Sequence, residues 1–207
     1  MANKEAPSVR KSPPPSGDPR SHRSRVALGN ALVALMLERN FDDISVQQVL
    51  DRAKVGRATF YAHFRNKHDL LLSDAERFLE MLEAYFLERE AACGGRRVAP
   101  VAELFSHVAD YDAFQRALAS SGLRETVYDL VAGHLARLIE RRIAALRPGA
   151  AGGGGPLSLA ATSRVYAGAL VELLRWWMER PSGRPGARQM DEHFHDIVWR
   201  GLEGGGR

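Results

Sequence analysis

From about residue 21 onward, apolar residues recur three and four positions apart, which is the spacing of one buried face of an α-helix. Neither an alternating pattern typical of strands nor a repeat of 20–50 residues is found. The pattern therefore predicts an all-α fold. Helices are predicted at about 23–39, 46–53, 57–64, 67–91, 100–109, 112–119, 123–146, 158–180 and 187–202.

Several predicted helix ends carry residues suited to capping. Ser45 directly precedes an apolar run, and Gln48 three positions later completes a capping box. Asn66 is expected to cap the start of the helix at 67–91, and Gly94 with its neighbour to stop it. Asn40 is expected to end the first helix in a left-handed conformation, which asparagine tolerates.

The two short helices at 46–53 and 57–64 are separated by a turn of about four residues, as in a helix-turn-helix. The first is expected to bury Val46, Val49 and Leu50, and the second Phe60 and Phe64. The residues expected on the exposed face of the second helix include no acid, and they are donors suited to phosphate oxygens and base edges: Arg57, Thr59, Tyr61 and His63.

Positive charge is concentrated at the N-terminal end. Residues 1–70 contain 12 lysines and arginines against 7 acids, whereas residues 71–207 contain 17 against 18. This asymmetry predicts an anion-binding module joined to a nearly neutral remainder, and it favours nucleic acid over an anionic membrane surface. Residues 1–20 are rich in proline and poor in apolar residues, which predicts a disordered basic tail that either contacts DNA or only solubilises the chain.

Other features of the composition exclude several classes of protein. Apolar runs are too short for a membrane span, and the N-terminus does not resemble a secretory signal. Cys93 is the one cysteine, so an internal disulfide is excluded and a reducing, cytoplasmic location is expected.

The motif residues resemble the TetR/AcrR family of bacterial transcriptional regulators. The resemblance covers roughly residues 23–72 and is carried by an ordered series: Ala53-Lys54-Val55, Thr59-Phe60-Tyr61-Ala62-His63-Phe64, Asn66-Lys67 and Leu70-Leu71. It implies a three-helix DNA-binding domain at 21–68, with its motif at about 45–64, and a helical effector-binding and dimerisation domain at 69–207.

The same resemblance assigns roles to single residues. Ser45 falls at a helix N-terminus that faces phosphate, and Gln47 and Arg57 fall where relatives read base edges. Thr59, Tyr61 and His63 fall on backbone- and base-contacting positions, although His63 could instead cap or pack; Lys67 resembles a phosphate anchor.

Two positions depart from the family pattern. Lys54 stands where glycine is usual, and it would cost about 1 kcal/mol if its φ is positive. Ala62 is smaller than is common there and offers at most an apolar contact.

Six residues of the C-terminal helices are candidates for lining an effector pocket, because polar groups on apolar faces orient small molecules. For each of them a plain packing role is the competing interpretation. They are His107, Phe114, Tyr128, His134, Tyr166 and Trp177.

Catalytic and metal-binding signatures are not found in the sequence. His193 and His195 are two positions apart, so on a helix they point in different directions and are not expected to bind a metal. The glycine run at 152–155 is not followed by the Gly-Lys-Ser/Thr of a phosphate loop. No enzyme activity and no cofactor are expected.

The sequence thus predicts a DNA-binding regulator. The expected partners are a double-stranded DNA operator, a second copy of the chain packed through helices 158–180 and 187–202, and an unidentified small-molecule effector that releases a repressor from DNA. The alternatives are a constitutive dimeric DNA-binding protein without an effector and, less favoured, an enzyme or carrier built on a helical bundle.

Overall fold

A computed structural model describes residues 19–110, 117–119, 121–148, 158–180 and 182–204. These residues form helices and connecting turns, with no strand among them, so the predicted all-α fold is confirmed. The predicted tail at 1–20 lies outside the described residues up to residue 18. Pro19 and Arg20 belong to the first helix, and proline suits a first helical position because its missing N–H has no partner there.

The N-terminal helices follow the predicted order. They are α1 Pro19–Met36, a short 3-10 helix Phe41–Asp43, α2 Val46–Ala53, α3 Arg57–Tyr61 and the long α4 Lys67–Cys93. The end predicted for α1 is wrong: the helix stops at Met36, and Asn40 has extended backbone with φ −62°. Asn40 instead precedes the 3-10 helix, so the link between α1 and α2 has structure of its own.

The C-terminal helices also lie close to the predicted ranges. They are α5 Val101–Asp110, α6 Arg124–Leu146, α7 Leu159–Met178 and α8 Ala187–Gly204. Most of the helix predicted at 112–119 lies outside the described residues, while residues 117–119 are helical. Gly94 ends α4 as expected: it takes a left-handed conformation with φ 62° that glycine adopts without a steric cost.

Buried apolar residues form two separate clusters. The first joins α1, α2 and α3 to the beginning of α4, including Leu70 and Leu71, and it also takes in Leu118. The second fills the space between the remainder of α4 and α5, α6, α7 and α8. The N-terminal cluster thus continues past residue 68, so the change from one core to the other falls inside the long helix α4.

A buried ionic cluster ties the far end of α4 to the C-terminal helices. The Arg97 guanidinium donates to Glu103 of α5 at 3.0 Å and to Asp191 of α8 at 2.8 Å, and it lies 3.5 Å from Glu90 of α4. Arg142 of α6 lies 3.5 Å from the same Glu90 carboxylate. Burial opposes the charge on Arg97, but the hydrogen bonds to Glu103 and Asp191 outweigh it and raise the pKa of the guanidinium. The cluster therefore joins four helices at one point.

The histidine beside this cluster is held as a neutral ring. His195 Nε2 accepts the Val98 N–H at 3.0 Å, which leaves Nδ1 to donate to the Asp191 carbonyl oxygen at 2.8 Å. Burial lowers the pKa of His195 below its ordinary value, against the raising effect of the Asp191 carboxylate. Both nitrogens of the neutral ring have a partner, so protonation would remove the acceptor of the Val98 N–H.

Candidate functional site

The first helix of the two-helix motif begins with the predicted cap. Ser45 Oγ accepts the Gln48 N–H at 3.2 Å, and Gln48 Oε1 accepts the Ser45 N–H at 2.8 Å. This reciprocal capping box satisfies two backbone donors at the start of α2. Val49 and Leu50 are buried beneath the helix, which leaves Gln47 exposed on its outer side.

Lys54, in the turn between α2 and α3, has a positive φ. Its φ of 54° and ψ of 39° are left-handed, and its N–H donates to the Leu50 carbonyl oxygen. This conformation costs a lysine about 1 kcal/mol, whereas glycine adopts it freely. Lys54 is exposed, so its ammonium adds positive charge next to α3.

The second helix, α3, is shorter than the predicted 57–64: it ends at Tyr61, and His63 and Phe64 lie in the turn after it. Phe60 and Phe64 are fully packed in the N-terminal cluster, as predicted. Arg57 is exposed, and Tyr61 keeps 52% of its surface in solvent. Thr59 was expected to be exposed but is half-buried.

His63 is also half-buried, because it lies against α1. Its Nε2 is 3.1 Å from the Ser21 hydroxyl oxygen. The contact links the end of the motif to the first turns of α1. Arg57 and Tyr61 are consequently the most accessible of the four donors predicted on this helix.

Arg57 and Gln47 are joined across the motif by hydrogen bonds. The Arg57 guanidinium donates to Gln47 Oε1 at 2.9 Å, and Gln47 Nε2 donates to Asp51 Oδ1 at 2.7 Å. The two residues predicted to read bases thus stand side by side on neighbouring helices. Asp51 was not among the predicted residues, although its position four residues after Gln47 on one helix face is a signal for such a pair.

Lys67 holds the link between α1 and α2 in place. Its ammonium donates to the carbonyl oxygens of Phe41 at 2.6 Å, Asp42 at 3.0 Å and Ile44 at 2.9 Å, and it lies 4.5 Å from the centre of the Phe41 ring. A lysine has three N–H donors, and all three are used here. The phosphate contact of Lys67 stays a prediction, but in this structure its donors belong to the backbone of that link.

The start of α4 is held by two side-chain hydrogen bonds to backbone N–H groups. Asn66 Oδ1 accepts the Asp69 N–H at 2.9 Å, which confirms the predicted cap, and Asp69 Oδ2 accepts the Arg65 N–H at 2.9 Å. The hydrogen bond from the Arg65 backbone lowers the pKa of the Asp69 carboxyl below its ordinary value. The Asp69 carboxylate is therefore charged and held at the start of α4.

A cavity of about 510 Å³ lies where the two halves of the chain meet. Its walls include Val33 of α1, Leu37 directly after that helix, Phe78 of α4, His107 of α5 and Tyr128 of α6. Two of the six predicted pocket residues, His107 and Tyr128, are thus brought to one cavity. The contribution of α1 was not anticipated, and no local sequence signal marks it.

The other predicted pocket residues lie elsewhere. His134 Nε2 is 2.8 Å from Glu83 Oε2 without an aligned hydrogen bond, and Tyr166 donates to the Val198 carbonyl oxygen at 3.3 Å. Trp177 is buried in the C-terminal cluster and donates to the Pro185 carbonyl oxygen at 2.8 Å. Phe114 lies outside the described residues.

Neither a metal site nor a membrane-spanning helix is found in the part of the chain that the structure describes. Within it, no group of three or more His, Cys, Asp or Glu side chains could hold a metal ion. The helices in that part of the chain include none that is long and apolar enough to cross a membrane.

Comparison with known proteins bears on the N-terminal half first. The sequence model of the family described as bacterial regulatory proteins, tetR family, matches residues 30–73. The Tn10 TetC protein of Escherichia coli is 28% identical over 85 residues, which are 41% of this chain and 42% of that protein. The HTH-type transcriptional regulator YdeS of Bacillus subtilis is 36% identical over 56 residues, 27% of this chain and 28% of the relative. The matches thus span less than half the length of these curated relatives.

The similarity of fold extends over most of the chain. The solved structure of the dihydroxyacetone kinase operon activator DhaS superimposes with a TM-score of 0.63 at 16% identity, and the match covers 87% of this chain and 96% of that one. At this identity the likeness concerns the fold alone. From the family match and the two related regulators together, we conclude that residues 30–73 form the N-terminal DNA-binding region of the TetR family of bacterial transcriptional regulators.

Proposed function

We propose that this protein is a homodimeric repressor that binds a two-fold symmetric DNA operator through α3 and leaves it when a small molecule binds. Regulators of the TetR family bind DNA, and they are often repressors and typically homodimers. The observation that carries the proposal for this chain is the exposed Arg57 on α3, held against Gln47 of α2. The operator, the effector and repression itself are parts of the proposal.

Arg57 is well placed to recognise a base. A guanidinium has five N–H donors, of which one is given to Gln47 in this structure. Its fork matches the O6 and N7 acceptors of guanine in the major groove. Gln47 restricts the rotamers of the arginine before DNA arrives, which lowers the entropy cost of making that contact.

The other exposed donors fit the phosphate backbone. The Tyr61 hydroxyl and the Ser45 hydroxyl lie on the outer side of the same two helices, with the Lys54 ammonium at the turn between them. Contacts to phosphate position the helices but carry no sequence information. In this assignment Thr59 and His63 have smaller roles, because both are half-buried.

Dimerisation would place two copies of α3 one DNA turn apart, about 34–36 Å, or a multiple of it. We assign the dimer interface to α7 and α8, within the predicted 158–180 and 187–202. Their outer faces carry large apolar residues in solvent, namely Val165 at 60%, Trp176 at 40% and Ile197 at 49% exposure. Tyr166 of α7 donates to the Val198 carbonyl oxygen of α8 at 3.3 Å, so the two helices are in contact.

We place the protein in the bacterial cytoplasm, where its DNA target is found. We assign residues 21–68 to DNA binding and residues 69–207 to effector binding and dimerisation, with the tail at 1–20 adding non-specific affinity. The competing function is a constitutive dimeric DNA-binding protein. Thermal melts with a library of metabolites separate the two, because only a protein with an effector site is stabilised by a ligand.

The central test is selection of a binding site from random duplexes, followed by titration of the selected duplex and of a scrambled duplex. Arg57→Ala should weaken binding to the selected duplex by about 1–3 kcal/mol per base contact and change binding to the scrambled duplex little. Arg65→Ala, at an exposed arginine outside α3, is the matched control and should lower both affinities about equally or leave both unchanged. Failure to enrich any sequence, or an equal loss on both duplexes for Arg57→Ala, would overturn the assignment.

A further inference from the structure

We propose that the cavity between α1 and the C-terminal helices binds a neutral, flat and largely apolar molecule, which contacts the DNA-binding half directly. This inference rests on the proposed effector response and names its ligand class and its route to the DNA. The volume of about 510 Å³ lies within the range of sites for drug-sized ligands.

The lining determines the polarity of the ligand. Most of the described wall is apolar, and its polar members are Asn30, Asp74, Arg77, His107 and Tyr128. A ligand that fills this space must therefore present apolar surface over most of its area.

The charges in the wall compensate one another. The Arg77 guanidinium donates to Asp74 at 2.6 Å, so one positive and one negative charge are paired. Burial lowers the pKa of His107 below its ordinary value, which favours the neutral ring near pH 7 despite the nearby Asp110. An ionised ligand would lose its water here without gaining an unpaired countercharge, and this favours a neutral molecule.

The aromatic side chains favour a flat shape. Phe78 and His107 are stacked with their ring centres 4.0 Å apart and an angle of 26° between their planes. Met81 lines the same space, and its thioether and flexible chain adapt to an aromatic face. An aromatic ligand can extend this stack into the cavity.

The position of α1 gives the ligand a direct route to the DNA-binding helices. At its middle, α1 is packed tightly on α4: a Cβ added at Gly29 would lie 2.3 Å from Asp74 Oδ1. Towards its end, Val33 forms part of the cavity wall, and so does Leu37, the first residue after the helix, which is 52% exposed. A molecule in the cavity therefore contacts the end of α1 that leads into the 3-10 helix and then α2.

The segment after α1 transmits displacement because it is anchored on both sides. The Lys67 ammonium binds the carbonyl oxygens of Phe41, Asp42 and Ile44, so α4 holds the chain immediately before Ser45. A ligand that prefers a different spacing of α1 and α4 must bind more weakly to the DNA-bound arrangement. By linkage, DNA must reduce ligand affinity by the same factor.

The experiment uses two dyes of nearly the same skeleton. N-phenyl-1-naphthylamine is neutral, and 8-anilino-1-naphthalenesulfonate adds one negative charge. We expect saturable binding of the neutral dye to the full chain and at least about tenfold weaker binding of the sulfonate, a difference of about 1.4 kcal/mol. Sulfonate binding as tight as that of the neutral dye would overturn the proposed ligand class.

Two variants locate the dye. Ala75→Phe fills the cavity from α4 and should weaken binding of the neutral dye about tenfold or more, whereas Ala84→Phe, at an exposed position of the same helix, should leave it unchanged. Leu37→Asp changes an exposed wall residue without altering the core, and it should also weaken dye binding. Equal dye affinity in wild type, Ala75→Phe and Leu37→Asp would show that the cavity is not the site.

The link to DNA is measured separately. The neutral dye at saturation should lower the affinity for the selected duplex, and the duplex should lower dye affinity by the same factor. Dye binding at the cavity with no change in DNA affinity would overturn the role of α1 while leaving the DNA-binding function intact. Failure to select any duplex would count against the proposed function, and the dye titrations would still decide whether the cavity is a site.

Discussion

Replacing Lys67 with alanine should destabilise the N-terminal half of the protein without changing the salt dependence of DNA binding. The structure assigns all three ammonium donors to the carbonyl oxygens of Phe41, Asp42 and Ile44, at 2.6, 3.0 and 2.9 Å. A phosphate contact would need one of these donors. Lys67→Ala therefore tests whether the residue acts on the protein or on the DNA.

The size of the effect follows from those three bonds. A hydrogen bond to a charged group contributes about 1.5–3 kcal/mol, but the three bonds share one ammonium and water can reach the exposed Asp42. We expect a loss of about 2–4 kcal/mol in the free energy of unfolding, which lowers the melting temperature of a chain of this size by about 4–16 °C. Lys54→Ala is the matched control, because it removes an exposed lysine and should change stability by about 0.5 kcal/mol or less.

The assay combines thermal melts with titrations of the selected duplex at several salt concentrations, at a temperature where the variant remains folded. A lysine that neutralised one phosphate in each half-site would lower the slope of log K against log salt by about 1.8 when removed from both subunits. We expect the slope of Lys67→Ala to equal that of wild type. An unchanged melting temperature together with a slope lower by about 1.8 would refute the structural role and support the phosphate contact that the family resemblance implies.

Three further predictions concern stability and assembly. Burial lowers the pKa of His195, so the neutral ring should stabilise the fold fully above the ordinary histidine pKa of about 6.5, and this stabilisation should be lost as the pH falls through the lowered pKa. Thermal melts from pH 8 to 5 should show this loss of stability, and the loss should be smaller in His195→Gln. Gly29→Ala should lower the free energy of unfolding by about 1–3 kcal/mol, because the added Cβ would meet Asp74. In denaturant titrations, adding Asp74→Ala should recover much of that loss; losses that simply add in the double variant would contradict the contact. Ile197→Arg should yield monomers in analytical ultracentrifugation while Ala144→Arg, at an exposed position of α6, stays dimeric; dimers of normal affinity for both would reject the assigned interface.

The helix starts and ends that depend on local backbone geometry could be predicted from the sequence. Ser45 with Gln48 and Asn66 with its following turn mark helix starts, because their side chains satisfy donors only three residues away. The left-handed Gly94 marks a helix end in the same way. Each of these signals acts within one turn of the residue that carries it.

Contacts between segments that are distant along the chain could not be predicted from the sequence. The donors of Lys67 reach carbonyls 23–26 residues away, and backbone carbonyls leave no mark in the sequence. The cavity wall on α1 has the same origin, because the residues Val33 and Leu37 look like ordinary members of an apolar helix face. His134 and Trp177 were predicted as pocket residues, and the structure places them next to Glu83 and Pro185, partners inside the C-terminal half.

The tryptophans, whose fluorescence reports on unfolding, are all located in the C-terminal half of the protein. All three belong to α7 and α8, and Trp177 is buried. The Arg96 guanidinium carbon lies 4.5 Å from the centre of the Trp199 ring, and that of Arg180 lies 4.0 Å from the centre of the exposed Trp176 ring. Tryptophan emission therefore follows the C-terminal helices, whereas far-ultraviolet circular dichroism follows helices in both halves. With two apolar cores joined by one long helix, coincident midpoints from the two signals would show that both halves unfold together. A circular dichroism transition that begins below the tryptophan transition would show that the DNA-binding half opens by itself.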